Sequence, residues 1–126
     1  MSDSFDAGTL RLLDEIGEVR IETRRDAGSP EHRTTIWVVI VEDEAFVRPV
    51  NEPRGRWYRE ISSNPEGALH VKDDRSPVRA NPVTDDATVD AVSDAIRRKY
   101  GERSPNSTAS MVLPDTLPTT LKLSPA

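Results

Sequence analysis

The chain has 126 residues, carries a net charge of -5 and contains no cysteine. The missing thiols exclude disulfide scaffolds, thiolate metal centres and cysteine nucleophiles. The longest apolar run, residues 36–41, is far shorter than the roughly 20 residues that a membrane-spanning helix needs. The acidic first residues lack the apolar stretch of a signal peptide. We therefore expect one domain over residues 1–126, in a cytoplasmic protein without a membrane partner.

The charge is distributed unevenly along the chain. Residues 20–59 hold eight arginines and seven acidic residues, whereas the rest holds nine basic and fifteen acidic residues. The acidic total disfavours nucleic acid as a partner, because binding to phosphates normally needs a basic face. The arginine-rich stretch instead predicts a small anionic ligand, since guanidinium groups match carboxylate and phosphate. An arginine-rich genome would produce the same bias without a ligand.

Apolar spacing and turn residues predict three helices and six strands. In chain order, these are helix Thr9–Ile16, strands Glu18–Thr23, Thr34–Val41 and Ala45–Val50, helix Arg56–Ile61, strands Ala68–Lys72 and Val78–Val83, helix Ala87–Tyr100 and strand Thr119–Leu123.

Two of these elements carry the strongest signals. Thr34–Val41 loses its polar alternation after Thr35, which predicts a central strand covered on both sides, joined by an acidic hairpin connection, residues 42–44, to the next strand. The last helix has Asp85 or Asp86 as its cap, cations in its last turn and Gly101 beyond its end. Strands joined by turns and short helices, without regular βαβ alternation, predict a mainly β fold: a small antiparallel barrel with peripheral helices.

The common catalytic motifs are missing from the sequence. It has no GxSxG, HExxH, P-loop or GxGxxG pattern. The two histidines, His32 and His70, have no ligand-spaced partners, so we expect no metal centre. The acidic pairs and triplets fall at predicted turns or caps, where they are expected to be solvated.

The first candidate binding segment follows the first strand. It combines a flexible glycine, hydroxyl groups and guanidinium groups, which together can hold a phosphate. Its members are Thr23, Arg24, Arg25, Gly28, Ser29, Arg33, Thr34 and Thr35. The alternative is an exposed connection whose arginines pair with Asp26 and Glu31.

The second candidate segment combines arginines with adjacent aromatic residues. It comprises Arg48-Pro49-Val50 and then Arg54-Gly55-Arg56-Trp57-Tyr58-Arg59. Trp57 and Tyr58 cannot face the same way on a helix, so one is expected to anchor the helix and the other to line a groove. Alternatively, both fill the core. Trp37 is expected in the core.

Several segments resemble a small bacterial family of uncharacterised proteins of about this length. They are Thr34-Thr35-Ile36-Trp37-Val38-Val39, Val47-Arg48-Pro49, Arg56-Trp57-Tyr58-Arg59, Arg98-Lys99-Tyr100-Gly101 and Thr119-Thr120-Leu121-Lys122-Leu123-Ser124-Pro125. That family resembles the deazaflavin-dependent nitroreductases and the pyridoxamine-phosphate-oxidase-like split barrels. In the nitroreductases, a threonine, a Gly-Arg-Lys-Ser-Gly-like loop and an arginine precede the second strand. A Pro-x-Trp-Tyr segment leads a helix that ends in Asn-Pro, similar to Trp57-Tyr58 and Asn64-Pro65 here.

The resemblance implies a six-stranded antiparallel split β-barrel that forms a homodimer, with FMN or a deazaflavin coenzyme in a groove near the subunit interface. The residues expected to bind the cofactor are Arg24, Arg25, Ser29, Arg33, Thr35, Arg48 and Trp57. The chain departs from the pattern at Asp26, in the missing lysine and at Arg48. Because fold does not fix chemistry, a non-enzymatic dimeric barrel that binds a small anion or acts as an interaction module remains the alternative.

Overall fold

A computed structural model describes residues 5–49 and 55–126. The described residues form four helices, seven strands and one 3-10 turn. The helices are α1 (Ala7–Glu15), α2 (Arg56–Ser63), α3 (Asp86–Tyr100) and α4 (Pro105–Met111). The strands are β1 (Val19–Thr23), β2 (His32–Ile36), β3 (Val39–Val41), β4 (Glu44–Val47), β5 (Glu66–Val71), β6 (Asp74–Pro82) and β7 (Leu121–Pro125), and the 3-10 turn is Leu117–Thr119.

The strands form one curled antiparallel sheet in the order β2-β1-β5-β6-β7-β4-β3. Its two edge strands, β2 and β3, are consecutive in the chain and are separated by Trp37 and Val38 alone. Ile36 and Val39 are three residues apart and therefore lie within about 11 Å of each other. The sheet must curl until its edges meet at this corner, which gives a split barrel.

The curled sheet has apolar side chains on both of its faces where β3 and β4 lie. Val38 and Val47 belong to the barrel interior, which α1 and α2 close with Leu13 and Ile61. On the other side, Val39 and Phe46 pack against the apolar face of α3. The apolar run is therefore covered on both sides at β3, as its sequence predicts.

The corner between β2 and β3 is held by the end of α3. The backbone N–H of Val38 donates to the Tyr100 hydroxyl at 3.3 Å, and that hydroxyl donates to the Gly17 carbonyl at 2.8 Å. Lys99 Nζ donates to the Val38 carbonyl at 2.7 Å. The Trp37 ring stacks on Tyr100 with centroids 4.0 Å apart and planes 3° apart. Burial raises the pKa of Tyr100 to about 12, so its hydroxyl remains protonated as a donor at neutral pH.

The predicted barrel with peripheral helices is confirmed, although three details differ. The predicted strand Thr34–Val41 is split into β2 and β3, and its expected central position is wrong because both pieces are edge strands. The connection between β3 and β4 is two residues long, with Glu42 and Asp43 both at positive φ, the geometry of a tight hairpin turn. Helix α4 was not predicted. Its first residue, Pro105, is typical of a break between elements, but proline is also tolerated in the first turn of a helix.

Two predicted features cannot be placed. The expected strand end at Val50 and the arginine of the second segment, Arg54, lie outside the described residues. Within residues 5–49 and 55–126, no helix combines the length and hydropathy required to cross a membrane.

Replacement of Tyr100 by Phe tests whether its hydroxyl stabilises the corner between β2 and β3. We expect Tyr100→Phe to lower the free energy of unfolding by about 1–3 kcal/mol, because the buried N–H of Val38 loses its acceptor while the stack on Trp37 remains. Urea unfolding followed by far-ultraviolet circular dichroism measures the change. Tyr58→Phe is the control, since no hydrogen bond to the Tyr58 hydroxyl is found among the described residues. Equal stabilities of the two variants would contradict this role for Tyr100.

Candidate functional site

A cavity of about 400 Å³ lies between the loop after β1, the end of α2 and the strands β5 and β6. We call it the loop cavity. Its lining comprises Glu22, Arg24, Ala27, Asn64, Glu66, Gly67, Arg75, Pro77, Val78 and Ala126. This volume falls within the range of small-molecule sites, about 300–1,000 Å³.

Two segments far apart in sequence meet at the loop cavity. Arg24 directly follows β1, and Asn64 is the residue that ends α2. Asn64 Nδ2 donates to the Arg24 carbonyl at 3.4 Å. Gly67 allows β1 and β5 to approach closely here, because a Cβ at this position would collide with the Glu22 carbonyl. The floor of the cavity is therefore fixed by backbone packing.

The most buried charged group of the loop cavity is Glu22. Arg75 donates to its carboxylate through Nε and Nη2, both at 3.0 Å, and His70 Nε2 lies 2.8 Å from it. The hydrogen bonds from Arg75 lower the pKa of Glu22 to about 2, against the opposing effect of burial. Glu22 is therefore an anion at neutral pH, and its charge is balanced within the protein.

A second buried carboxylate, Glu60, ties α2 to the sheet. Its Oε1 accepts from the Thr23 hydroxyl at 2.7 Å, and Oε2 lies 3.0 Å from His32 Nδ1. Burial opposes ionisation of Glu60, but the hydrogen bonds from Thr23 and His32 outweigh it and lower its pKa. This cluster fixes the position of α2 relative to the start of the loop.

The loop after β1 is closed by its own carboxylate. Asp26 Oδ1 accepts from the Gly28 N–H at 3.0 Å and from the Ser29 hydroxyl at 2.9 Å. Arg24 Nη1 donates to the Ser29 carbonyl at 2.9 Å. The amide and hydroxyl that would hold a phosphate at the loop tip are therefore bound to Asp26 in this structure.

A profile of bacterial proteins matches residues 9–123 of the chain; the family is described as an uncharacterized protein conserved in bacteria (DUF2255). The chain belongs to this family. The match confirms the resemblance to a bacterial family of uncharacterised proteins. No curated protein matches the sequence.

Solved structures share the fold of this DUF2255 protein at low sequence identity. The heme storage protein HutZ from Vibrio cholerae is 15% identical, with a TM-score of 0.62, and the match covers 98% of this chain and 91% of HutZ. A putative pyridoxamine 5'-phosphate oxidase from Listeria innocua is 12% identical, with a TM-score of 0.59, and coverages of 94% and 90%. An F420-H2-dependent reductase is 14% identical, with a TM-score of 0.60, and coverages of 85% and 92%. These likenesses establish the split-barrel fold.

The structure brings together only part of the predicted binding set. Of the seven residues, all within the described ranges, only Arg24 lines the loop cavity. Arg33 Nε donates to Glu31 at 2.8 Å, and Arg24 Nη2 lies 3.7 Å from the same carboxylate group. Arg25 is exposed and lies 3.7 Å from Asp26. These are the pairings that the alternative interpretation of the segment predicts.

The other predicted residues lie elsewhere. Thr35 is opposite Arg20 in the β1–β2 pairing and lines a separate cavity of about 300 Å³. Trp57 is 7% exposed in the barrel core and contacts Tyr58 edge to face, with centroids 6.1 Å apart. Trp37 is only half-buried, on the surface beside α3. Trp57, which is expected to bind the cofactor, is therefore more buried than Trp37, which is expected in the core.

Arg48 requires a correction, because it lies in the interior rather than in a groove. It is 1% exposed, and its guanidinium donates to the Thr120 and Ser93 hydroxyls and to the Val89 and Met111 carbonyls. Burial lowers the pKa of Arg48 to about 10, so it is a cation at neutral pH. In this structure the guanidinium joins β4 to α3, α4 and the 3-10 turn.

Glu22, His70 and Arg75 form a cluster that sequence reasoning missed. The spacing of these residues in the sequence does not predict the cluster, because the contacts arise from cross-strand pairing of β1, β5 and β6. Ligand atoms of Glu22, Glu31 and His70 lie within 4.8 Å of one another, a spacing that metal sites share. Arg75 already binds the Glu22 carboxylate through two hydrogen bonds, which favours an ion pair at this position.

The substitution Arg48→Lys tests the buried guanidinium. A lysine presents a single point of donation and cannot reach all four acceptors, so we expect a loss of about 3 kcal/mol of unfolding free energy. Chemical denaturation measures it, with the exposed Arg97→Lys as control. A loss of stability no larger than that of the control would show that the hydrogen bonds of Arg48 are dispensable.

Because Glu22 is ionised in the folded chain, the free energy of unfolding is expected to depend on pH. Its pKa is about 2 in the folded chain and near 4.5 ordinarily. The stabilisation is therefore complete above about pH 4.5 and is lost as the pH falls toward 2. At pH 7 we expect Glu22→Gln to lower the unfolding free energy by about 2 kcal/mol, and at pH 3 the difference from the native chain should shrink.

Unfolding curves at the two pH values measure this difference. The exposed Glu66→Gln is the matched control, because it removes the same charge at a position whose nearest cation, Arg79 Nη1, is 3.8 Å away. A Glu22→Gln deficit that stays constant between pH 7 and pH 3 would contradict the role of the ionised carboxylate.

Proposed function

We propose that the protein is a homodimeric split barrel that binds FMN or a deazaflavin coenzyme beside the loop cavity and acts as an oxidoreductase. The observation that carries the proposal is the meeting of two segments at this cavity. The loop that resembles the nitroreductase phosphate loop and the helix end Asn64-Pro65 are 40 residues apart in sequence, yet Asn64 hydrogen-bonds the backbone of Arg24. The loop and the end of α2 therefore line the same side of the loop cavity, which binding of one cofactor by both segments requires.

The side chains of the loop cavity suit a ligand with an anionic group at a defined point. The side chains of Arg24 and Arg75 face two glutamates in the lining, so these four side-chain charges cancel. A ligand phosphate would therefore be held by the guanidinium groups individually, through charge-assisted hydrogen bonds. Arg24 is the more available of the two, because its nearest carboxylate is 3.7 Å away whereas Arg75 holds Glu22 at 3.0 Å.

The cofactor, when bound, would supply hydride transfer. The tasks of this chain's residues are then to bind and orient. Arg24 would hold the phosphate, and Asn64 would keep the loop in register with α2. Arg25, Ser29 and Arg33 would take part only after their contacts with Asp26 and Glu31 are exchanged for the ligand.

The fold neighbours support a cofactor-binding role without specifying the cofactor. One is named as an F420-H2-dependent reductase and another as a heme storage protein. The same barrel thus serves a redox enzyme in one case and a binding protein in the other. For this chain, the resemblance of its loop and α2 segments favours the reductase type.

Asp26 favours a second candidate function, in which the barrel binds a small anion without redox chemistry. Its carboxylate satisfies the Gly28 amide and the Ser29 hydroxyl, which removes two donors from a phosphate site. A small carboxylate or phosphate held by Arg24 in the loop cavity needs neither donor. This candidate shares the cavity and differs in the absence of a flavin ring.

Titration of the purified protein separates these candidates. We expect FMN or the deazaflavin coenzyme to bind with a change in cofactor fluorescence, and protein from a host that makes the coenzyme to absorb visible light. Arg24→Gln should weaken binding about tenfold, because it removes a charge-assisted contact, whereas the exposed Arg97→Gln should leave it unchanged. Light scattering after gel filtration should show a dimer.

The opposite outcomes are equally specific. No visible absorption and no fluorescence change with either cofactor would reject the oxidoreductase proposal. Thermal stabilisation by inorganic phosphate or citrate in that case, lost in Arg24→Gln, would support the second candidate. If neither flavins nor anions stabilise the protein, both proposals are wrong.

A further inference from the structure

A separate cavity of about 260 Å³ lies between α1, β3 and α3, and we call it the α3 cavity. Its lining is Asp14, Val39, Ile40, Ala95, Arg98 and Lys99. Positions 95, 98 and 99 are spaced three and four residues apart, so they share one face of α3. Ala95 also belongs to the buried cluster that contains Val92 and Ile96, so the α3 cavity lies at the margin of the packing between α3 and β3.

Lys99 brings a half-buried charge to the α3 cavity. Its Nζ donates to the Leu13 carbonyl at 2.8 Å and to the Val38 carbonyl at 2.7 Å, which uses two of its three N–H groups. Among residues 5–49 and 55–126, no carboxylate lies within 4.0 Å of Nζ. Burial lowers the pKa of Lys99 to about 8, and the negative charge of Asp14 opposes this shift.

The remaining charges around the α3 cavity define the ligand's charge. Arg98 is exposed and makes no ion pair with any described residue, whereas Asp14 contributes one negative charge on the opposite wall. Lys99, Arg98 and Asp14 together leave one positive charge. A single negative charge completes this balance, whereas a dianion would leave an excess negative charge beside Asp14.

The rest of the lining defines the ligand's body. Val39, Ile40 and Ala95 are apolar, and the α3 cavity shares Asp14 and Ile40 with a neighbouring cavity of about 550 Å³. The lining of that second cavity combines the apolar Phe5, Ala7, Leu10 and Ile40 with the charged Arg11, Asp14 and Asp43. An apolar chain that starts at Lys99 can therefore continue along the apolar side of the groove between α1 and β3 and bury its surface there.

We propose that the α3 cavity binds a monocarboxylate with an apolar tail, its carboxylate paired with Lys99 and Arg98. The ammonium supplies the third N–H and a positive charge, and the apolar side of the adjoining groove receives the tail. This site is separate from the loop cavity, since no lining residue is shared, and the inference does not depend on a flavin.

Straight-chain carboxylates of increasing length test the proposal on the whole chain. We expect octanoate to bind and stabilise the protein more than butanoate at equal ionic strength, because the longer tail buries more apolar surface. Octanol, which lacks the charge, should bind about tenfold more weakly than octanoate. Calorimetry and thermal shift at pH 7 measure both effects.

Variants separate a binding role from a purely structural one. Lys99→Gln keeps an amide that can donate to the Leu13 and Val38 carbonyls but removes the charge, so octanoate binding should fall about tenfold. Arg98→Gln lies on the surface, leaves the fold intact, and should weaken binding about threefold. Arg97→Gln, the matched control on the same helix, lies outside the lining and should bind as the native chain does.

Three results would overturn the proposal. They are absence of octanoate binding up to about 10 mM, equal binding of octanol and octanoate, and equal weakening by Arg97→Gln and Arg98→Gln. If Lys99→Gln fails to fold, the comparison of Arg98→Gln with Arg97→Gln and the comparison of octanoate with octanol still decide the question.

Discussion

The corner at Trp37 and Val38 is the constraint on which this barrel depends. The sheet can close only where consecutive edge strands meet, and at that point the strand pairing is interrupted, so the backbone groups of Val38 need other partners. The Tyr100 hydroxyl and Lys99 Nζ provide them from about 60 residues away. The curl of the sheet is thus set by the C-terminal turn of α3, and the same contacts place Lys99 beside the α3 cavity.

Local sequence patterns explain why most elements were predictable and why the corner was not. The cap of α3 at Asp85 depends on neighbouring residues and appears as predicted. The apolar and polar residues of β1 alternate in sequence, but Glu22 is buried through pairing with distant strands, which the local pattern does not contain. The division of residues 34–41 into two edge strands depends on contacts with Tyr100, which no local pattern contains. The apolar character of this run was interpreted correctly as burial on two sides, but its place in the sheet depends on closure.

In the candidate site too, features that depend on neighbouring residues were predictable, and features that depend on distant residues were not. The loop after β1 and the end of α2 could be selected from the sequence, because each is a local motif. The cluster of Glu22, His70 and Arg75 arises from strand pairing between three separate elements. Arg48 was misplaced for the related reason that its partners lie 41 to 72 residues further along the chain. A buried arginine and a ligand-binding arginine have the same local sequence signature.

The arginine excess of residues 20–59 has a different meaning once its partners are known. Arg24, Arg25 and Arg33 face Asp26 and Glu31, and Arg48 is internal, so the local charge is largely balanced within the chain. Exposed ion pairs of this kind contribute little to stability, because solvent screens their charges. An anionic ligand that offers two or three charge-assisted hydrogen bonds, each contributing about 1.5–3 kcal/mol, can therefore displace them. At the proposed site, the pairing would set a free-energy threshold that a ligand phosphate must exceed, and would favour ligands that make further contacts in the loop cavity over free anions.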